Sequence, residues 1–120
     1  MSMTIVREVR FEAAHRLPNT PAGHKCQRLH GHSFRAEIHV RGPVDEARGW
    51  VRDFGEIKDV CAPLVEQLDH HYLNEVPGLE NPTSENIARW LWLRLKPSLA
   101  DLAAVIVHET CHARAEYTGP

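Results

Sequence analysis

The feature that most constrains the fold is a two-residue alternation of apolar and polar side chains, which occurs in two segments. In residues 4–15 one parity is apolar, with Arg7 as the exception, and His15 falls on that parity; the other parity is polar apart from Val6 and Ala14. In residues 30–41 the apolar parity begins with two histidines, His30 and His32. The alternation therefore predicts two strands that each bring histidine to the apolar face at one end.

Two stretches of helical spacing follow the strands. Asp53 is a typical N-cap, with Glu56 three residues later as a capping-box partner, and apolar residues then recur at helical spacing as far as Leu68. A second apolar stretch of the same period begins after Thr83 or Ser84, and either residue can serve as its N-cap. The pattern predicts two helices in succession.

Residues 103–109 and 112–117 predict two final strands joined as a hairpin. The order is ββααββ, which is typical of an α+β domain: an antiparallel sheet of about four strands with two helices on one face. At 120 residues and 13.6 kDa the chain is expected to form a single domain, residues 1–120. So small a domain has little core to spare for a deep pocket, so a site for a sizeable substrate is easier to build between subunits.

Charge and cysteine content narrow the class of protein. Fourteen basic and sixteen acidic residues give a net charge of -2 without a block of like charge, which argues against nucleic acid as the main partner. No apolar run approaches the ~18 residues of a membrane span, and the N-terminus lacks the apolar segment of a signal peptide. Three cysteines without a disulfide-framework spacing fit a reducing compartment. We therefore expect a cytoplasmic protein without a membrane or nucleic-acid partner.

Histidine is unusually frequent, with nine residues in the chain and five of them between His15 and His39. An H-x-H pair on a strand places His30 and His32 on one face, ~7 Å apart at the backbone, and a neighbouring strand can add His15. Three protein ligands with an open position are the pattern of catalytic zinc, whereas structural zinc is usually closed by four. The alternative is a chance H-x-H pair, with His15 as a core residue. The matching parity and a cysteine four residues upstream favour a metal site.

That cysteine is Cys26, and the sequence leaves two functions open for it. As a fourth ligand it would close the metal site into a structural Cys-His₃ centre. Alternatively it is a reactive thiol beside the metal, where the positive charges of Lys25 and Arg28 favour the thiolate. Cys61 and Cys111 lie inside predicted regular elements and are better explained as small buried residues.

Carboxylates in two further segments are candidates for acid–base work or substrate binding. Asp69 precedes His70 at a helix end, and an adjacent carboxylate can orient an imidazole and raise its basicity. On these residues alone, a histidine that complements the helix dipole is the simpler explanation. Glu109 ends an apolar strand, where a carboxylate either faces water or must meet N–H donors. Four scattered basic residues could contact phosphates, although such residues usually form a solvated surface: Arg16, Lys25, Arg28 and Arg35.

Seven short segments, taken together, resemble the 6-pyruvoyltetrahydropterin synthase family, and most closely its bacterial 6-carboxytetrahydropterin synthase branch. They span nearly the whole chain in the order of the family: FEAAHRL (11–17), GHKC (23–26), RLHGHS (28–33), DF (53–54), LDHHYLN (68–74), NPTSE (81–85) and ET (109–110). The short C-x₃-H-x-H spacing is similar to that of the carboxy branch. The last strand departs from the commoner pattern, which we interpret as a surface or interface change, at His112, Arg114 and Glu116.

The resemblance implies separate sets of metal ligands, catalytic groups and substrate contacts. Zn²⁺ would be bound by His15, His30 and His32. Cys26 would be the proton-abstracting base, with Asp69 and His70 as its relay partner, while Glu109 would anchor a pterin and can join the relay. Further substrate contacts would be Thr83 and Ser84, to which we add, as candidate phosphate contacts, Lys25 and Arg28.

The resemblance also implies a T-fold that assembles into rings, as trimers stacked into a homohexamer. The implied substrate is 7,8-dihydroneopterin triphosphate. The carboxy branch converts it to 6-carboxy-5,6,7,8-tetrahydropterin, acetaldehyde and triphosphate, on the route to queuosine and related deazapurines. Two alternatives remain open: a pyruvoyl-type enzyme that removes triphosphate without cleaving the side chain, and a zinc-stabilised binding module without catalysis.

Overall fold

The structure of the chain, a computed structural model, describes residues 2–120. Two long strands, β1 (Ser2–His15) and β2 (His30–Pro43), pair antiparallel over their whole length, with His15 opposite His30. The loop between them contains a short 3-10 helix (Lys25–Gln27). The remaining elements are α1 (Phe54–Leu68), β3 (His71–Tyr72), a second 3-10 helix (Leu73–Glu75), α2 (Ser84–Leu95), β4 (Leu102–Thr110) and β5 (Ala113–Tyr117).

The sheet has five strands in the order β3-β1-β2-β4-β5, one more than the expected number of about four. The additional strand, β3, is two residues long and lies parallel to β1, with His71 opposite Ala13, in a sheet that is otherwise antiparallel. Two residues are too few to show a period, so the sequence pattern does not reveal this strand. It forms where the chain after α1 is tied to β1, because the N–H of His70 donates to the carbonyl of Glu12 (2.6 Å).

Both helices pack on the face of the sheet to which the alternation assigned the apolar residues. Buried side chains such as Phe11 and Phe34 alternate with more exposed ones along β1 and β2, and His15 is buried on the same face. Helix α1 contacts β1, α2 contacts β4 and β5, and the buried residues of these elements form one core cluster. Removing this apolar surface from water is the main force that holds the layers together. The predicted α+β arrangement with two helices on one face is confirmed.

The start of α1 shows one difference from the expected capping. Asp53 is the N-cap and accepts a hydrogen bond from the N–H of Gly55 (2.9 Å). Glu56 pairs with Arg52 (3.1 Å) instead of completing a capping box. Within residues 2–120, no helix combines the length and the apolar character needed to cross a membrane.

The three cysteines are free thiols in different surroundings. Cys26 is half-buried. Cys61 is buried in α1 as expected, and burial raises the pKa of its thiol to about 11. Cys111 lies exposed between β4 and β5, so its interpretation as a buried residue was wrong. The reason is that the final strands are separated by a turn, which contains this residue.

Candidate metal centre and active site

Three histidines meet at one end of the β1–β2 hairpin. His15 lies directly opposite His30, and His32 follows two residues later on β2, opposite Ala13. The ring centroids are separated by 4.6, 4.9 and 5.1 Å, and one nitrogen of each ring lies within 4.8 Å of a nitrogen of the other two. The convergence predicted from strand parity is therefore present. Its spacing suits one metal ion bound by three imidazoles.

Backbone carbonyls orient two of the rings. Nδ1 of His15 donates to the carbonyl of Pro82 (2.8 Å), and Nδ1 of His30 donates to the carbonyl of Arg28 (2.7 Å). A carbonyl can only accept, so Nδ1 of each ring must carry the proton. In a neutral imidazole Nε2 then has a free lone pair, which is the form that binds a metal.

The surroundings of the rings also fit a metal ion. Burial lowers the pKa of His15, against the opposing effect of its bond to Pro82, and burial likewise lowers the pKa of His32. Phe34 packs edge to face against both rings. Nε2 of His15 and Nε2 of His32 are buried without a hydrogen-bond partner. Buried polar atoms rarely lack a partner, so we expect both nitrogens to bind something. A single metal ion could be coordinated by both.

Glu109 approaches the same nitrogens from β4. Its Oε1 lies 3.4 Å from Nε2 of His15 and 3.7 Å from Nε2 of His32, without forming a hydrogen bond. The Glu109 side chain is 27% exposed, so it borders both the histidine cluster and the solvent in front of it. The sequence did not reveal this contact. The position allows two functions for the carboxylate, as a fourth metal ligand or as an acceptor for N–H groups of a substrate.

A pocket of about 500 Å³ opens in front of the histidine cluster. Its lining comes from the Cys26 segment, two of the histidines and the end of β4: Lys25, Cys26, Arg28, Leu29, His30, His32, Glu109 and Thr110. One chain therefore brings the thiol, the carboxylate, the two basic residues and the histidine cluster together. Cys26 is not part of the group of mutually close ligand atoms that the three histidines form. If these histidines bind a metal ion, three ligands without the thiol correspond to an open site rather than a closed one.

The loop that carries Cys26 is held by Arg16 and Asn74, for which the sequence predicted no such role. The carbonyl of Cys26 accepts from the N–H of Leu17 (2.7 Å), and Nε of Arg16 donates to the carbonyl of Gln27 (3.1 Å). The side chain of Asn74 forms two hydrogen bonds with the backbone of Arg16. Oδ1 of Asn74 accepts from the N–H of Arg16 (3.0 Å), and Nδ2 of Asn74 donates to the carbonyl of Arg16 (2.8 Å). Arg16 is thus engaged with the loop. The available signal was that both residues lie in the segments that match the family.

Asp69 and His70 lie outside this pocket within one chain. Oδ1 of Asp69 accepts from the N–H of Glu12 (2.8 Å), and Oδ2 lies 3.0 Å from Nδ1 of His70. The Glu12 N–H and, second, the His70 ring lower the pKa of Asp69. His70 has a φ of +58°, and its side chain is 79% exposed. A carboxylate–imidazole pair is therefore present beside β1, but neither member lines the pocket that contains Cys26.

Thr83 and Ser84 also lie outside the pocket lining. Thr83 is the N-cap of α2, where its Oγ1 accepts from the N–H of Asn86 (3.1 Å), and Ser84 is the first helical residue. The residue before the cap, Pro82, supplies the carbonyl that orients His15. The start of α2 therefore positions a metal-binding candidate. The role of Thr83 and Ser84 as substrate contacts stays a prediction.

Comparison with known proteins identifies the family of the chain. A model of the 6-pyruvoyl tetrahydropterin synthase family matches residues 4–120. This chain belongs to that family. The resemblance inferred from the seven segments is confirmed, and so is the prediction of an enzyme.

Several relatives of known name match this chain over most of their length. A 6-carboxy-5,6,7,8-tetrahydropterin synthase from Synechocystis is 44% identical over 97% of this chain and 93% of its own. A dihydroneopterin monophosphate aldolase from Pyrococcus furiosus is 36% identical over 82% of this chain and 80% of its own. The structure of Caenorhabditis elegans 6-pyruvoyl tetrahydropterin synthase is 28% identical, with a TM-score of 0.89 over 100% of this chain and 97% of that chain. The fold is therefore the expected T-fold.

Proposed function

We propose that the protein is a zinc-dependent lyase that converts 7,8-dihydroneopterin triphosphate to 6-carboxy-5,6,7,8-tetrahydropterin, acetaldehyde and triphosphate. The observation that carries the proposal is the pocket in which Cys26, Glu109 and the histidine cluster meet. The 44% identity to a 6-carboxy-5,6,7,8-tetrahydropterin synthase supports this reaction over others in the family. On this proposal the chain is a single-domain cytoplasmic enzyme whose product leads to queuosine and related deazapurines.

Zinc is the metal that we propose for His15, His30 and His32. Neutral imidazoles suit this ion, and three protein ligands leave a coordination position for substrate. Zinc bound there would acidify hydroxyl groups of the substrate side chain, as it acidifies bound water.

Side chains of the pocket would perform proton abstraction, pterin binding and phosphate binding. Cys26, half-buried in the pocket wall, would remove a proton from the substrate side chain as a thiolate. Glu109 would accept hydrogen bonds from the N–H edge of the pterin, because its carboxylate borders the pocket. Lys25 and Arg28 line the same pocket and would contact the phosphates.

A relay between Cys26 and the Asp69–His70 pair would require a second copy of the chain. The pair lies outside the pocket of its own chain, but the exposed His70 is accessible to a neighbour. In residues 2–120, β3 pairs with β1 at Ala13 and Ala14, so most of the outer edge of the 14-residue β1 has no strand beside it. Such an edge favours association with another strand. We propose a homohexamer of two stacked trimers with active sites at subunit interfaces.

Two alternative functions are triphosphate elimination without side-chain cleavage and zinc-stabilised binding without catalysis. Relatives from Drosophila melanogaster and Dictyostelium discoideum with the name 6-pyruvoyl tetrahydrobiopterin synthase are each 35% identical, which keeps triphosphate elimination without side-chain cleavage as a second candidate. A zinc-stabilised binding module would need Cys26 as a fourth ligand, and the separation of Cys26 from the close histidine group argues against it.

The deciding experiment is to incubate the zinc-loaded protein with dihydroneopterin triphosphate and identify the products by mass spectrometry. The carboxy product together with acetaldehyde supports the proposal, and a pyruvoyl product would assign the elimination instead. Cys26→Ala should retain zinc and lose turnover, while the matched variant Cys111→Ala should retain both. Loss of zinc from Cys26→Ala would make Cys26 a ligand and contradict its role as the base.

The role of Glu109 is tested by Glu109→Gln. The amide keeps the shape but replaces one acceptor oxygen by a donor, so pterin binding should weaken about tenfold or more while zinc content stays unchanged. Glu116→Gln, which makes the same change on exposed β5, should alter neither quantity. Unchanged pterin affinity in Glu109→Gln would contradict the anchor, and loss of zinc would identify a fourth ligand.

A further inference from the structure

The face of the sheet that points away from the helices carries a band of basic side chains across four strands. Arg10 on β1 lies opposite Arg35 on β2, which lies opposite His108 on β4, which in turn lies opposite Arg114 on β5. All four occupy the parity opposite to that of the core residues. Like charges placed directly opposite each other in a sheet are destabilising, so this band needs compensation.

Acidic side chains compensate three of the four basic residues of the band. Glu8 accepts from Nε of Arg10 (3.0 Å) and from a terminal nitrogen of Arg35 (2.9 Å), and Glu37 pairs with His108. Within residues 2–120, no acidic side chain lies within ion-pair distance of Arg114. The positive charge of the band therefore remains uncompensated only at Arg114, on β5.

A pocket of about 370 Å³ lies beside Arg114. Four of its six lining residues carry basic nitrogen donors, and none is acidic: Arg35, His108, Cys111, His112, Ala113 and Arg114. Arg35 engages Glu8 through one terminal nitrogen, so its other N–H donors stay available. Guanidinium forks match the oxygen geometry of phosphate groups and bind them through paired, charge-assisted hydrogen bonds.

We propose that this pocket binds a phosphate-type oxyanion between the guanidinium groups of Arg35 and Arg114, with His112 as a further donor. The oxyanion would replace the acidic partner that Arg114 lacks. It can come from two sources, free inorganic phosphate or the outermost phosphates of the proposed substrate, beyond those that Lys25 and Arg28 contact. The second source rests on the proposed function. One contact supports it: Thr110 lines the active-site pocket and the N–H of His112 donates to its Oγ1 (3.2 Å), so the turn between β4 and β5 borders both pockets.

The test is a calorimetric titration of the zinc-loaded protein with sodium tripolyphosphate and, separately, with inorganic phosphate at low salt. Arg114→Gln should weaken tripolyphosphate binding about tenfold, because a charge-assisted bidentate contact is removed. The matched control is Arg41→Gln, which makes the same change in net charge at an exposed position on the same face of β2. The control should bind as the parent does. Arg114→Lys, which keeps the charge but removes the fork, should fall between them.

Equal affinity of the parent, Arg114→Gln and Arg41→Gln for tripolyphosphate would overturn the proposal, because the anion would then bind elsewhere, for example at the metal. Binding that disappears when zinc is removed would overturn it as well. The two sources are separated by steady-state kinetics: a raised KM for dihydroneopterin triphosphate in Arg114→Gln assigns the substrate triphosphate, and an unchanged KM with lost phosphate binding assigns free oxyanion. The calorimetric result does not depend on turnover, so failure of the proposed lyase reaction would leave it standing.

Discussion

His15 differs from the other two histidines of the cluster in how it is held. It is fully buried, its Nδ1 is bonded to Pro82, and its ring packs against Phe34. His30 and His32 are partly exposed toward the pocket. Replacement of His15 would therefore perturb packing as well as metal binding, whereas replacement of His30 or His32 tests the metal site more directly.

The metal assignment predicts about one zinc ion per chain in the parent protein. His30→Ala and His32→Ala should each lose the zinc and the activity, because two imidazoles are too few to hold the ion. The control is His112→Ala, which removes an exposed histidine outside the cluster and should retain zinc. Zinc is measured by mass spectrometry after dialysis. Stoichiometric zinc in the double variant His30→Ala, His32→Ala would contradict the assignment.

Asp69 makes a pH-dependent contribution to stability. Its pKa lies below the usual value of 3.8, first because the N–H of Glu12 donates to it and second because of His70. A group whose pKa is lowered by folding stabilises the protein above the unfolded pKa, and this contribution disappears as the pH falls through the folded pKa. Asp69→Asn should therefore be less stable than the parent at pH 7, and the difference should vanish below the folded pKa.

The measurement for Asp69 is urea unfolding of the metal-free protein at fixed concentration and several pH values. Asp59→Asn, which neutralises an exposed acid on α1, is the matched control and should show a smaller difference that changes little with pH. An Asp69→Asn deficit that stays constant as the pH is lowered through the acid range would mean that the contact does not depend on the charge.

At the scale of elements, the start of α2 connects helix capping to the metal site. Thr83 closes the first turn of the helix, and the residue before it holds His15. Thr83→Ala should lower the free energy of unfolding by about 1 kcal/mol, the usual cost of losing an N-cap, and should weaken zinc binding. Ser84→Ala is the matched change at a position that does not cap. It should leave stability unchanged and raise KM if Ser84 contacts substrate. Equal stability of the two variants, measured by thermal unfolding, would contradict the capping role.

At the scale of the whole molecule, the separation of Cys26 from Asp69 and His70 predicts sites shared between copies. Mixing Cys26→Ala chains with His70→Ala chains during reassembly should restore activity at roughly a quarter of the sites in a randomly mixed ring, where an intact Cys26 meets an intact His70. Cys26 and Glu109 line one pocket of one chain, so mixing Cys26→Ala with Glu109→Ala should restore nothing. Inactivity of both mixtures, or a fully active monomer by sedimentation, would contradict shared sites.

Local periodicity was enough to predict the histidine cluster. Alternation in β1 and β2 determines which side chains share a face, and the pairing register then places His15 opposite His30. The cap at Asp53 and the choice of Thr83 or Ser84 for the second helix were also predicted, because capping depends on the polar residue at a helix start. These features depend on neighbours a few residues apart, or on two adjacent strands, and so the amino-acid sequence by itself determined them.

The tertiary structure alone decided the features that join residues far apart in sequence. The bond between Pro82 and His15, the approach of Glu109 to the cluster, and the placement of Asp69 against Glu12 each connect separate elements. The basic band across the sheet is of the same kind, because it needs the register of four strands. No local period encodes such contacts. They are set by how the helices pack on the sheet and by which strands become neighbours, and both depend on burying the core as a whole.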